Sequence, residues 1–181
     1  MPLTPQQLAI LKADILANPD LNNQPNNGDG NFEISRLYGL PASPDFYAYR
    51  RNIPTSELFD KIDFAKLTPN EMPNDTQAWA NRSLCCQGKQ FNLQLILDRQ
   101  LIDATRSQTR ATLQDALTNI PSGASGATVS GWPPVRDSLY ERATRGEKLF
   151  ATGTGSTAQP ATRVVYGNIS AQDIETARNL A

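Results

Sequence analysis

Histidine is absent from the sequence, although the chain has 181 residues. Histidine is the usual general base near neutral pH and the commonest metal ligand. Its absence therefore excludes Ser-His-Asp and Cys-His catalytic arrangements, and it excludes metal sites that need imidazole. An enzyme that uses Asp, Glu, Lys or Tyr is still possible, but the sequence contains no complete motif of a catalytic, metal-binding or cofactor-binding site. We therefore expect no catalysis and no bound metal or cofactor.

Cysteine is almost as scarce, since Cys85 and Cys86 are the only two and are adjacent. Neighbouring cysteines pair only in a strained geometry, and no CxxC motif is present. The pair therefore offers no disulfide scaffold, which suits a reducing compartment. It is interpreted either as a redox switch or as two small side chains near a helix end, one of them buried, and the second interpretation is favoured.

Long apolar runs are missing as well. The first residues, MPLTPQQL, contain neither a basic stretch nor a long apolar one, so we expect no signal peptide and no transmembrane span. Hydrophobic residues make up 39% of the chain, which is low for a compact globule, and the formal net charge is −1. The chain is thus expected to bury a modest core or to rely on partners. Its total charge indicates neither a nucleic acid nor a membrane as partner.

Capping residues and apolar spacing predict a series of helices. Thr4 and Pro5 open the first helix, and Asn18 before Pro19 ends it. Later helices are predicted to be capped by Asp29, by Thr55 and by Asp103 or Ser107, and a further helix is predicted to start near Asp75 or Thr76. These signals indicate a mainly α fold, a helical bundle.

Two further features complete the predicted bundle. The helix that starts near residue 76 is expected to end near Gly88, and residues 67–75 before it are predicted as a loop. The longest helix is predicted over residues 133–151, because two prolines stand at its start and Val135 and Phe150 fall near one apolar stripe.

The composition changes after this helix. Residues 152–162 read TGTGSTAQPAT, which has no apolar periodicity and is typical of a linker. Residues 163–166 alternate as a short strand does. Ser170 with Asp173 resembles a capping box, and it opens a last helix that carries Ile174.

These patterns divide the chain into a helical body at residues 1–151 and, at 152–181, a flexible connector with a C-terminal docking arm. A strand and a helix this short bury too little apolar surface to offset the entropy of ordering them. The arm is therefore expected to dock on a partner surface. The alternative is that it folds back on its own body.

Two motifs invite a nucleotide or nucleic-acid interpretation. The run TGTGST lacks the Lys-Ser/Thr ending of a phosphate-binding loop and follows a helix, which disfavours phosphate binding. The aromatic residues Phe46, Tyr47 and Tyr49 precede Arg50 and Arg51, as in a base-stacking platform. No RNP-like pattern surrounds them, so aromatic residues at the edge of the core beside a solvated basic pair are the favoured interpretation.

Three stretches of the sequence carry a resemblance to a known family. The first is LTPQQLAILKADILANPDLNNQPNNGDGNFEISRLYGLPASPDFYAYR at residues 3–50, the second is ATRGEKLFATGTGSTAQPATRVVYGNISAQDIETARNLA at 143–181, and a shorter one is RSQTRATLQDALTNIPSG at 106–123. Through these stretches, which cover over half of it, the chain resembles the head-to-tail connector proteins of tailed bacteriophages, in particular the adaptor under the portal. Residues 68–99 depart from the family pattern.

The resemblance implies a helical bundle with a C-terminal extension that docks on the portal. It implies a homo-oligomeric ring, commonly a dodecamer, that continues the DNA channel in the neck of a virion assembled in the host cytoplasm. The expected partners are the portal protein, the next neck or tail protein and other copies of the chain, with genomic DNA only as cargo and no membrane. The expected partner-binding residues are Arg163, Val164, Val165, Tyr166, Ile169 and Ile174.

The composition and the net charge of the chain agree with this expectation. A modest apolar fraction suits a subunit that shares its core with neighbours, and a near-neutral charge suits a channel wall along which DNA slides. The alternatives are another neck or head-associated structural protein, a nucleic-acid-binding regulator, or a small enzyme.

Overall fold

The computed structural model describes residues 2–67, 76–122 and 127–180. About 53% of it is helical, with a few short antiparallel strands, which confirms the prediction of a helix-rich chain. The chain forms two compact units. The terminal unit comprises Met1–Ala48 and Arg142–Ala181, and the central unit comprises Tyr49–Glu141. This division differs from the expected division after residue 151.

The helices and strands are short, apart from one helix. The α-helices are α1 (Pro5–Ala17), α2 (Pro19–Asn22), α3 (Gly28–Tyr38), α4 (Thr55–Phe59), α5 (Thr76–Leu97), α6 (Ser107–Leu117), α7 (Trp132–Ser138), α8 (Arg145–Phe150) and α9 (Ala171–Arg178). The strands are β1 (Tyr47–Tyr49), β2 (Ile53–Pro54), β3 (Leu101–Ile102), β4 (Ile120–Ser122), β5 (Ala127–Val129) and β6 (Tyr140–Arg142). A 3-10 turn covers Phe64–Leu67.

The strands form two-stranded sheets, in which β1 pairs with β6, β2 with β3 and β4 with β5. In the central unit, Ile53 lies opposite Ile102, and Ile120 lies opposite Val129. Both pairs are antiparallel and bring apolar side chains to the core of that unit, the first from distant segments and the second from neighbouring ones.

The terminal unit is built around three helices, of which the first and the last are capped as predicted. Thr4 and Gln7 form a capping box on α1, and Ser170 and Asp173 form one on α9. Helix α9 packs on α1 and α3, which join it in one apolar core. The buried residues of this core are Leu3, Leu11, Ile15, Leu21, Ile34, Tyr38, Phe150, Ile169, Ile174 and Ala177.

The central unit has a second core, to which its longest helix contributes. Helix α5 continues through Gly88, so the predicted end at that residue is wrong. Cys86 and Leu93 are buried in the same core on either side of Gly88, and this packing outweighs the low helix propensity of one glycine. The buried residues of this core are Ile53, Leu58, Ile62, Leu67, Cys86, Leu93, Ile102, Ala104, Leu113, Ala116, Leu117, Ile120, Val135 and Leu139.

The long helix predicted over residues 133–151 is wrong. The segment forms α7, then strand β6, then α8. Val135 belongs to the core of the central unit, whereas Phe150 belongs to the core of the terminal unit. Helix α8 starts just after Thr144, which caps it. The Thr144 hydroxyl accepts a hydrogen bond from the Glu147 amide, and the Glu147 side chain accepts one from the Thr144 amide, which completes a capping box.

The strand predicted over residues 163–166 is also wrong, and the expected linker at 152–162 is a fixed part of the terminal unit. Thr152 and Thr162 exchange two backbone hydrogen bonds of 3.0 and 2.8 Å. The Ala161 amide donates to the Tyr47 carbonyl at 2.8 Å. The backbone pairing therefore ends just before the predicted strand begins.

Several predicted boundaries shift by a few residues. Asn27 caps α3 in place of Asp29, since its side chain accepts from the Gly30 amide at 3.0 Å. Helix α6 starts at Ser107 after Arg106 without a side-chain cap, so neither Asp103 nor Ser107 caps it. Thr55 does not cap α4 either, because it is the first residue of that helix and Pro54 holds the cap position. Of the predicted loop at 67–75, residues 68–75 lie outside the described part of the chain.

Candidate partner-binding surfaces

The six residues expected to bind a partner divide into buried and accessible ones. Ile169 and Ile174 are buried in the core of the terminal unit, and Val165 packs against it. Val164 and Tyr166 are 53% and 39% exposed. The structure therefore leaves only these two large apolar side chains of the set on the surface.

Arg163, the remaining residue of that set, is held inside the terminal unit. Its Nη1 lies 3.3 Å from Oε1 of Glu147, and both side chains are less than a tenth exposed. Glu147 also accepts from the Thr144 amide at 2.9 Å in the capping box of α8. This ion pair fastens the C-terminal segment to α8 and makes Arg163 a structural residue.

The aromatic and basic run at residues 46–51 forms no free platform. The guanidinium of Arg110 lies 3.9 Å from the centre of the Tyr49 ring, and Tyr49 packs against the central core. Phe46 packs in the terminal unit, where the Tyr47 amide donates to the Gly155 carbonyl at 2.7 Å. The prediction of aromatic residues at the edge of a core is confirmed.

The expected solvation of the basic pair is wrong for Arg50. Its Nη2 donates to Oε2 of Glu57 at 2.9 Å, its Nη1 donates to the Ser138 carbonyl at 2.9 Å, and its Nε lies 3.7 Å from Glu141. The hydrogen bonds from Arg50 hold the pKa of Glu57 below its usual value. The positive charge of Arg50 is thus neutralised by two carboxylates.

Arg51 is the more exposed member of the pair, yet it too lies beside a carboxylate. Its Nε is 3.8 Å from Oδ2 of Asp103, which also lies 3.6 Å from Nε of Arg106. These contacts reduce the positive field that a nucleic-acid surface would need.

The glycine-rich run TGTGST packs as part of the terminal unit. Gly155 has a φ of +70°, and a Cβ at this position would lie 2.1 Å from ring atoms of Phe46. Gly153 has a φ of +120°, and a Cβ at this position would lie 3.2 Å from the Cα atom of Ala161. The glycines therefore serve a tight turn and close packing on an aromatic ring.

A polar groove in the terminal unit is not signalled by the sequence. The Tyr38 hydroxyl donates to Oδ2 of Asp14 at 2.6 Å, and burial together with that carboxylate raises the pKa of Tyr38. Arg145 donates to Oδ2 of Asp20 at 2.5 Å and lies over the Tyr38 ring at 5.5 Å. Because Arg145 is 125 residues from Asp20 along the chain, no local pattern could have predicted this network.

Helix α5 carries an exposed apolar face that was not predicted from the sequence either. Leu84, Phe91 and Leu95 are all more than half exposed. Their spacing of seven and four residues places them on one side of the helix. The spacing was readable from the sequence, but the predicted helix end at Gly88 separated Leu84 from the other two.

The cysteines lie in the same helix. Cys86 is buried and Cys85 is exposed, and the two are not joined by a disulfide. The prediction that one is buried is confirmed, but they lie inside α5 and not at a helix end.

Within residues 2–67, 76–122 and 127–180, no group of three His, Cys, Asp or Glu side chains could hold a metal ion. Over those same ranges, none of the helices combines the length and apolarity that a membrane crossing requires.

Comparisons of the chain with protein-family models, with curated proteins and with solved structures gave no match.

Proposed function

We propose that the chain is a head-to-tail connector protein of a tailed bacteriophage, the adaptor that forms a ring under the portal and continues the DNA channel. One observation carries the proposal. The two long stretches with the resemblance, residues 3–50 and 143–181, nearly coincide with the two segments of the terminal unit. The resemblance therefore follows one folded unit, although its two parts are far apart in the sequence.

Hydrogen bonds between the two stretches support their treatment as one module. The Ser35 hydroxyl donates to the Ile169 carbonyl at 2.6 Å. Arg178 donates to the carbonyls of Pro25 and Gln24 at 3.0 and 2.8 Å and to the Asn31 side chain at 3.0 Å. A module closed in this way presents a fixed surface to a partner, which lowers the entropy lost on assembly.

In this proposal the portal binds at Val164 and Tyr166. Both side chains project from a segment whose backbone is fixed at Thr152, Ala161 and Thr162. The contact then uses a preformed surface in place of the flexible arm expected from the sequence. The remaining faces would contact other copies and the next neck or tail protein, in the neck of a virion assembled in the host cytoplasm.

Charge pairing supports a role for DNA as cargo. Arg50, Arg51 and Arg106 lie beside carboxylates of Glu57, Glu141 or Asp103. A protein that grips DNA neutralises several phosphates with free basic side chains. Paired arginines suit a wall along which DNA slides.

Binding to the cognate portal ring tests the proposal. The wild-type chain is expected to co-sediment with purified portal rings, and Val164→Asp is expected to abolish this. Leu40→Asp is the matched control, because Leu40 is a similarly exposed apolar residue outside a helix in the same unit. A chain that ignores portal rings but binds tail or head components would be a different neck or head protein. Tight, salt-sensitive binding of duplex DNA would support a regulator.

A further inference from the structure

Helix α5 is apolar on two opposite sides. Cys86 and Leu93 face the core of the central unit, whereas Leu84, Phe91 and Leu95 form an exposed ridge. A helix at the surface of a single domain usually exposes a polar face. The ridge therefore has the character of a surface that a partner covers.

Two grooves flank this ridge. On one side, the rings of Phe59 and Phe64 lie with their centres 4.8 Å apart and form an apolar groove against α5. The α5 side of this Phe59–Phe64 groove is lined by Gln90, Leu93, Gln94, Leu97 and Asp98. On the other side, Leu101 and Arg99 line a groove beside Leu95. Ridges of one helix surface pack into grooves of another, so the central unit carries both halves of such a contact.

Charges next to the ridge and the groove are opposite in sign. Arg99 is exposed four residues after the ridge residue Leu95, and Asp98 is exposed at the Phe59–Phe64 groove. Neither side chain forms an ion pair with another residue in the described part of the chain. A ridge with Arg99 at its end therefore matches a groove with Asp98 on its wall.

Apolar residues stand on both sides of the possible contact between copies. In the described part of the central unit, the ridge residues Leu84, Phe91 and Leu95 are more than half exposed, and Phe59 and Phe64 of the groove are 55% and 38% exposed. At about 100 Å² of exposed surface each, the ridge presents roughly 300 Å² and the two rings present about 200 Å². A standard interface buries about 800 Å² per partner, so these residues would form the apolar centre of a contact with a polar rim.

We propose that the ridge of one copy binds in the Phe59–Phe64 groove of a second copy, with Arg99 of the first facing Asp98 of the second. Ridge and groove are different surfaces, so each contact leaves one ridge and one groove free. Such a head-to-tail contact repeats until a ring closes. The inference deepens the proposed function and rests on it for the ring, but the contact itself can be tested without phage components.

Analytical ultracentrifugation over a concentration series is the first test. The wild-type chain is expected to self-associate, and Leu95→Asp is expected to weaken association by about 100-fold, because it places a charge at the centre of the contact. Leu16→Asp is the matched control, since Leu16 is similarly exposed on helix α1 of the terminal unit. A wild-type chain that stays monomeric throughout, or a Leu95→Asp variant that associates like wild type, overturns the inference.

Charge exchange is the second test, and it is robust to any loss of folding at Leu95. Arg99→Asp and Asp98→Arg are each expected to weaken self-association by roughly tenfold. An equimolar mixture of the two variants should recover heterotypic pairs, because the new Asp then faces the new Arg. A mixture that associates as weakly as each single variant contradicts the pairing of Arg99 with Asp98. If the charge-exchanged mixture recovers association but the chain does not bind portal rings, only the proposed function is refuted. If the chain binds portal rings but the Arg99 and Asp98 variants associate like wild type, only this contact is refuted.

Discussion

The terminal and central units reach a buried core by different routes. The terminal unit joins residues near both ends of the sequence, so Leu11 and Ile15 of α1 meet Ile174 of α9. The central unit is continuous and joins β2 to β3 and α5 to α6 within one segment. Each unit also has its own ion pairs, with Asp20 and Arg145 in the terminal unit and Arg50 and Glu57 in the central unit. The comparison shows that a terminal segment can supply part of a buried core even when its sequence is typical of a flexible arm.

The largest expected effect comes from deleting residues 160–181. The deletion removes Ile169 and Ile174, and each large-to-small loss in a core costs about 2–5 kcal/mol. Together with the loss of all α9 packing, this approaches the whole stability of a typical domain, about 5–15 kcal/mol. We therefore expect the terminal unit to unfold, which far-UV circular dichroism would record as lost helix.

Tryptophan fluorescence separates the two units in that experiment. Both tryptophans, Trp79 and Trp132, belong to the sequence range of the central unit. The deletion should leave the fluorescence transition of the central unit in place while helix content falls. A truncated chain with the full helical signal of residues 2–48 would contradict a shared core and would restore the docking-arm model.

The second largest effect is expected at Gly155. Gly155→Ala places a Cβ within 2.1 Å of the Phe46 ring at a φ of +70°. Overpacking and the left-handed backbone together should cost the terminal unit about 2–4 kcal/mol, measured by urea denaturation followed by circular dichroism.

Gly88→Ala provides the opposite control in the central unit. Gly88 lies inside α5 with nothing within 4 Å of a Cβ at that position. The substitution should stabilise the central unit by about 0.5–1 kcal/mol, because alanine loses less backbone entropy in a helix. Destabilisation here would indicate that Gly88 is closely packed.

A smaller effect is expected from the cap of α9. Ser170→Ala removes the hydroxyl that accepts from the Asp173 amide at 3.1 Å, which should cost about 1 kcal/mol. Ser107→Ala is the control, since Ser107 is the first residue of α6 and makes no capping bond. Equal thermal melting of the two variants would show that the Ser170 cap adds nothing to the terminal unit.

The smallest effect concerns pH and compares one ion pair from each unit. The hydrogen bond from Arg145 holds the pKa of Asp20 below its usual value, and the hydrogen bonds from Arg50 do the same for the pKa of Glu57. The stabilisation is therefore present above the ordinary pKa and is lost as the pH falls through the lowered one. Because these side chains are partly exposed, each pair should contribute at most about 1 kcal/mol.

Asp20→Asn and Glu57→Gln measure the two contributions separately. Each variant should flatten the acid limb of the stability curve, with Glu57→Gln acting on the fluorescence transition and Asp20→Asn on circular dichroism alone. A variant whose acid limb follows that of wild type would show that the pair has no net effect.

Local signals in the sequence predicted much of the helical content. The caps at Thr4 and Ser170 are satisfied within three residues, so the sequence contains the whole interaction. Thr144 with Glu147 is the same signal, and recognising it would have divided the segment 133–151 correctly.

The part that could not be predicted depends on contacts between distant residues. Ile174 shares a core with Leu11, and Arg163 pairs with Glu147. The periodicity of apolar residues in the sequence does not identify which distant residues come into contact. The alternation of Val164 and Val165 resembles a strand, yet Val165 packs on the core while Val164 remains exposed. A loop in which one side chain is buried and the next is exposed therefore gives the same sequence pattern as a strand.

The discontinuous terminal unit has a consequence for synthesis on the ribosome. Domains generally fold as units while the chain emerges from its N-terminal end. Residues 49–141 can complete their core first, whereas α1 and α3 have no complete core until residues 143–180 have been made. Leu11, Ile15 and Ile34 therefore lack the covering of α9 throughout translation of the central unit, which leaves the first segment with an incomplete core that a chaperone could protect.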